Sequence, residues 1–158
     1  MASAPAEPGA VLGVPLEKLA AWEAHTKPVP YIVLACCHWL SVAGLQKEGI
    51  FRSEGSRQSV ERLVAKFQRN PTSLVPVGCD PVDVATAVKV YLRSLPEPLL
   101  TFSLYTAVVQ SGEADVSYMA ELTQLLPRAR RATLECILAL LARVASQAPI
   151  NRMDARSL

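Results

Sequence analysis

An excess of one charge is the first thing this chain lacks. Sixteen basic residues stand against 14 acidic ones in 158, a net charge of +2, and no basic run occurs. A polyanion binder needs a larger excess or a concentrated patch, so nucleic acid is excluded as a partner. Charged residues are scarce altogether, at 19% against 51% hydrophobic. That balance is apolar for a soluble domain and predicts further polar covering or another packing partner. Long apolar runs are missing too. The stretch between Lys27 and Lys47 carries no Lys, Arg, Asp or Glu, but it is interrupted by Pro28, Pro30, His38, Ser41 and Gln46. Its apolar part falls short of the roughly 20 residues that a bilayer core requires. A buried helix is expected there, with no direct membrane insertion. Residues 1–10 have neither a positive start nor an apolar stretch, so they are no secretory signal. Pro5, Pro8 and Gly9 predict a disordered leader instead. A cytoplasmic location follows, with any recruitment to membranes left to regions outside this chain.

Recognisable metal and nucleotide motifs are also absent. The four cysteines, Cys36, Cys37, Cys79 and Cys136, form no CxxC pair. Neighbours on a helix point about 100° apart, so Cys36-Cys37-His38 does not converge on one metal. All four are expected to be reduced thiols, mostly in the core, with no metal site. Gly44-Leu-Gln-Lys-Glu-Gly49 has the glycine spacing of a phosphate-binding loop, but Ile50-Phe51 replace its Lys-Ser/Thr. Any nucleotide must therefore come with a partner. His25 and His38 have no nucleophile motif around them, and no independent hydrolase activity is expected. Few segments alternate with period two between turn signals, so no sheet is predicted.

Helical periodicity is abundant. From an N-cap at Ser56, Val60, Leu63, Val64 and Phe67 follow the i, i+3, i+4, i+7 spacing of one buried stripe. Glu61, Arg62, Lys66 and Arg69 fill the other face, and Asn70-Pro71 ends the helix. Asp80-Pro81-Val82-Asp83 reads as a helix start: a cap, a proline in the first turn and a carboxylate at the positive end of the dipole. Ala85, Val88, Leu92 and Leu95 are its expected core stripe, and Pro96 its stop. Two more helices are predicted over 115–126 and 132–147, separated at Pro127. The second is apolar over most of its circumference and calls for neighbours on several sides. A single all-α domain over residues 11–158 is the outcome.

Within that helical frame, Gly49-Ile-Phe-Arg52-Ser-Glu-Gly-Ser56 places one arginine in a loop between an apolar helix and an amphipathic one. Guanidinium is planar, permanently charged and able to grip phosphate oxygens with two bonds. Lys89 and Arg93 lie one helical turn apart and share a face at the border of the predicted core stripe. From there they are placed to steady the arginine loop or to meet an acidic partner.

These segments resemble the RhoGAP domain, from about Val11 to Leu158. Val11-Leu-Gly-Val-Pro-Leu16 is similar to that family's opening, and Val29-Pro30 with the following stretch to its first long helix. Gly44-Leu45 with Glu48-Gly-Ile-Phe-Arg52 resembles the arginine-finger segment. Val88-Lys-Val-Tyr-Leu-Arg-Ser-Leu-Pro-Glu-Pro-Leu99 resembles the second block, and Asn151-Arg-Met153 the start of the third. The resemblance implies a helical bundle that lacks its C-terminal helix or helices, the family continuing beyond the point matching Leu158. It implies stimulation of GTP hydrolysis by a Rho, Rac or Cdc42-type GTPase, which itself binds the GTP and Mg²⁺; no cofactor is expected in this chain. Arg52 would be the finger, Lys89 a GTPase-facing support and Arg93 a stabiliser of the finger loop. Asn151 and Ser157 would add to the GTPase-binding face. Two positions depart from the pattern: Glu54 stands where serine is usual, and Ser157 where asparagine is. Glu54 either pairs with Arg52 and holds it back or is an idle surface charge. The alternative implied function is a non-catalytic interaction module of the same fold.

Overall fold

The computed structural model describes residues 10–22, 27–110 and 115–158. His25 and residues 1–9 of the expected leader lie outside the described residues. All regular structure among the described residues is helical: α1 Leu16–Trp22, α2 Tyr31–Ala43, α3 Arg57–Arg69, α4 Pro81–Ser94, α5 Thr101–Gln110, α6 Val116–Gln124, α7 Arg128–Ala145 and α8 Ala148–Asn151.

The uncharged stretch forms α2, entered through Val29-Pro30, and buries Ile32, Val33, Cys36, Cys37 and Leu40. It packs on both α4 and α7, and the rest of its surface, with His38 and Val42, remains open to solvent. α3 follows its amphipathic pattern: Val60, Leu63, Val64 and Phe67 are buried and Glu61, Arg62 and Arg69 exposed. That stripe packs on α4. Full burial of a side chain such as Phe67 contributes about 2–3 kcal/mol. No described helix is long and apolar enough to cross a membrane.

Where expectation and structure part, packing is the reason. Because α4 is held by α2 on one side and α3 on the other, its buried arc widens to Val84, Ala85, Ala87, Val88 and Tyr91. Leu92, expected in that stripe, is only partly covered. α7 begins directly after Pro127, four residues ahead of the expected 132. It buries Arg130, Thr133, Leu140 and Val144, while Leu138 is exposed and Leu134, Ile137 and Leu141 are partly covered. The four cysteines are free, Cys36 and Cys37 buried, Cys79 and Cys136 half-buried. Burial pushes the Cys36 thiol up to about 12, with Cys79 adding to the shift.

Residues 151–158, where the resemblance places the start of the third block, do not continue a helix. Instead Asn151 closes α8, Arg152 turns left-handed at φ 61°, and a single turn follows. Asp154 caps that turn, its Oδ1 accepting bonds from the Ser157 N–H (2.9 Å), the Ser157 hydroxyl (2.8 Å) and the Arg156 N–H (3.1 Å). These bonds, the Ser157 hydroxyl foremost, hold the Asp154 carboxyl below its ordinary value.

Candidate functional site: the Arg52 loop

The segment joining α2 to α3 is short of regular structure but rich in anchors. Its first limb is tied to the far end of the chain. Asn151 Nδ2 donates to the carbonyls of Leu45 (2.7 Å) and Val144 (2.8 Å), and its Oδ1 accepts from Met153 N–H (2.8 Å). The Asn151 carbonyl accepts from Gly49 N–H at 2.9 Å. A fully buried amide with every hydrogen-bonding group occupied thus joins the loop, the end of α7 and the 152–158 segment.

A tight turn follows. The N–H groups of Arg52 and Ser53 both donate to the Gly49 carbonyl, at 3.0 and 2.8 Å. Gly49 has φ +68°, where a side chain is strained, and a Cβ there would also stand 2.8 Å from Ser53 Oγ, so glycine is favoured. Phe51 is also left-handed, φ 66°, a conformation that costs an ordinary residue about 1–2 kcal/mol. Core packing holds it there: Ile50 is completely buried and Phe51 packs against the same cluster. With its two predecessors fastened inward, Arg52 is turned out to solvent. Among the described residues its guanidinium has no ion-pair or hydrogen-bond partner.

Both limbs are laced to α4 and its N-cap at every third residue, Asp80, Asp83, Thr86 and Lys89. Lys47 Nζ pairs with Asp80 Oδ2 at 3.2 Å, while Asp80 Oδ1 caps the helix by accepting from Val82 N–H at 2.9 Å. Those bonds, Val82 first, keep the Asp80 carboxyl below its ordinary range. Ser56 N–H donates to Asp83 Oδ1 at 2.7 Å, and Gly55 N–H to Thr86 Oγ1 at 2.9 Å. Lys89 Nζ donates to the Phe51 carbonyl at 3.1 Å and to Glu54 Oε1 at 3.0 Å. Gly55 lies so close to α4 that a Cβ would fall 2.6 Å from Asp83 Oδ1 and 2.8 Å from Asp83 Cα. Ser56 does occupy the N-cap of α3, but its side chain makes no capping bond; its N–H serves the lacing instead.

The structure brings some of the predicted site residues together and not others. Arg52 and Lys89 meet at one loop. Arg93 is exposed a turn further along α4, close enough for its charge to act on Glu54. The bonds between α4 and the loop are those of Asp83, Thr86 and Lys89, and Arg93 makes none of them. Asn151, expected on the docking face, has no exposed surface, and its bonds go to the loop, the end of α7 and Met153. Ser157 is exposed, with its hydroxyl on Asp154. Glu54 pairs with Lys89 and not with Arg52.

Three residues escaped the sequence reading. Asp83 was read as a dipole partner only, and Thr86 not at all; their every-third-residue spacing with Asp80 and Lys89 was the available signal. Arg130 has a side chain only 4% exposed and pairs with Glu17 of α1 and with Glu97 Oε2 at 3.2 Å. It also donates to the Pro98 carbonyl. A buried cation in the first turn of a helix opposes the dipole, which marks it as needing partners elsewhere.

The sequence pattern of the RhoGAP domain family matches residues 30–158. The chain belongs to that family. A Rho GTPase-activating protein of Arabidopsis thaliana is 36% identical over 148 residues, covering 94% of this chain and 39% of the relative. Rho GTPase-activating protein 17 of Mus musculus is 32% identical over 146 residues, covering 89% of this chain and 17% of the relative. This RhoGAP domain therefore spans well under half the length of those relatives. The crystal structure of human Rho GTPase activating protein 15 superposes with a TM-score of 0.83 at 25% identity, over 93% of this chain and 72% of that one. The all-helical bundle expected from periodicity is the RhoGAP fold.

Proposed function

We propose that this RhoGAP domain stimulates GTP hydrolysis by a Rho, Rac or Cdc42-type GTPase, with Arg52 entering the partner's site. The observation that carries the reading is the combination at Arg52: an exposed, unpaired guanidinium on a turn bonded to α4, to Asn151 and to the core. In phosphoryl transfer, negative charge develops on the transferring group and the leaving oxygen, and an arginine supplied in trans is worth about 10³–10⁵ in rate. Such a group works best when its placement is settled before docking, since little reorganisation is left for the reacting complex. The GTPase contributes GTP, Mg²⁺ and the water-positioning side chain; this domain contributes no cofactor and meets its partner on the cytoplasmic side. The relatives named for GTPase activation support this reading.

Single-turnover GTP hydrolysis by a panel of Rho-family GTPases tests it. The wild-type domain should accelerate at least one of them, and Arg52→Ala should reduce that acceleration by about 10³ or more. Binding to a transition-state-like GTPase complex should persist in the variant. Equal rates for wild type and Arg52→Ala, with binding intact in both, would favour the non-catalytic interaction module.

A further inference from the structure

Glu54 is the residue of the loop that the finger reading does not use. It is exposed, it occupies a place where serine is usual in the resemblance, and it is bonded to Lys89 rather than to its neighbour Arg52. The same ammonium reaches the Phe51 carbonyl, so one side chain joins the residue before Arg52 to the second residue after it. We propose that Glu54 is a positioning residue for Arg52: by holding Lys89 across the loop, it closes residues 51–54 into a staple with the arginine at its apex. This inference rests on Arg52 being the finger.

The physical case turns on what keeps Lys89 in place. A lysine side chain gives up substantial rotamer entropy when fixed, about as much as its one ammonium–carbonyl bond to Phe51 returns. The second bond, to Glu54, adds an opposite charge to the same ammonium and tips that balance towards the bound position. The Lys89 side chain is 20% exposed against 65% for Glu54, so the pair is partly shielded by the helix and loop. Arg93 also lends positive charge to the Glu54 carboxylate, and no acidic side chain of the loop competes for Lys89. The opposite role, Glu54 restraining Arg52, needs a contact that is not made.

Two measurements together decide the matter. The first is the maximal stimulated rate and the half-saturating domain concentration, in single-turnover hydrolysis with Glu54→Ala, Glu54→Gln, Lys89→Met and the Glu54→Ala/Lys89→Met double variant. Glu54→Ala should lower the maximal rate by about two- to fivefold, the scale of one partly exposed ion pair. Half-saturation should stay the same, because the residue acts on placement and not on docking. Glu54→Gln keeps an acceptor for Lys89 and should recover part of the loss. In the Lys89→Met background, Glu54→Ala should cost nothing more. The second measurement is amide hydrogen exchange at residues 52–55 in the domain alone, which should speed up in Glu54→Ala and in Lys89→Met alike. Unchanged exchange and rate in Glu54→Ala, a faster rate, or an equal loss in the Lys89→Met background would each overturn the staple. If wild type stimulates no GTPase while exchange responds as expected, the finger reading has failed and the catalytic meaning of Glu54 with it. Unchanged exchange beside an active wild type sinks the staple alone.

Discussion

Arg52 owes its orientation to neighbours that are less free than itself. Phe51 is kept in a left-handed conformation by its ring in the core and by Lys89 on its carbonyl. Strain of this kind persists only where the surroundings over-determine it. The charge state of Glu54 is part of that arrangement, since the hydrogen bond and charge of Lys89 hold its carboxyl below the ordinary value. A depressed carboxyl contributes stability above its unfolded-state pKa and loses it as pH falls through the folded-state value. Protection of the amides at 52–55 should thus hold through neutral and mildly acidic pH and decline only in strong acid. Glu54→Gln should flatten that profile. A protection profile of the wild type that declines as pH rises towards neutrality would contradict this sign.

At the scale of elements, the loop and α4 are one mechanical unit. Asp80, Asp83 and Thr86 accept bonds from the loop and Lys89 donates to it, and the close approach needed for this leaves room for glycine alone at position 55. Gly55→Ala meets backbone at 2.8 Å, so either the limb or α4 must shift, at a cost of about 1–3 kcal/mol. Stimulated hydrolysis should fall with stability, because the displaced limb carries Glu54. Thermal melts of Gly55→Ala beside Gly44→Ala make the check informative. The Gly44 clash is with the end of the Leu40 side chain, which can swing away, and with the Leu40 backbone oxygen only at 3.1 Å. The smaller loss should belong to Gly44→Ala. The start of α4 was legible in Asp80-Pro81, and the stripe of α3 in its spacing. The lacing was not: the spacing of Asp80, Asp83, Thr86 and Lys89 puts polar groups on one edge of α4, but nothing local says which distant loop they bond.

Over the whole molecule, two buried polar residues connect parts that are far apart in sequence. Arg130 links α1, the turn after α4 and α7, and Asn151 links the loop, α7 and the segment after α8. Removing Asn151 takes from the Leu45 carbonyl its bond to Nδ2, and removing Arg130 breaks its pairs with Glu17 and Glu97. The Val144 and Pro98 carbonyls keep the N–H groups of Gln147 and Thr101. Asn151→Ala should cost about 2–4 kcal/mol, read as a lower urea midpoint with an unchanged slope. The same variant should also weaken stimulated hydrolysis, because Asn151 supports the first limb of the loop. Arg130→Met should cost a similar amount, about 3 kcal/mol, through its lost carbonyl and carboxylate bonds. Its effect on hydrolysis should be no larger than its effect on stability explains, since none of its bonds reaches the loop.

The sequence alone was enough to establish the helical class, the start of α4, the core face of α3, the kinship with RhoGAP domains and the loop arginine. Each of these is written in local spacing, capping chemistry or a contiguous motif. Tertiary structure decided that Asn151 is buried, that Lys89 rather than Arg93 grips the loop, that Glu54 faces Lys89, and that Arg130 is a hidden cross-tie. Those outcomes depend on which distant side chains share a small volume once helices pack, and hydrogen bonds with large sequence separation carry no period from which to read them.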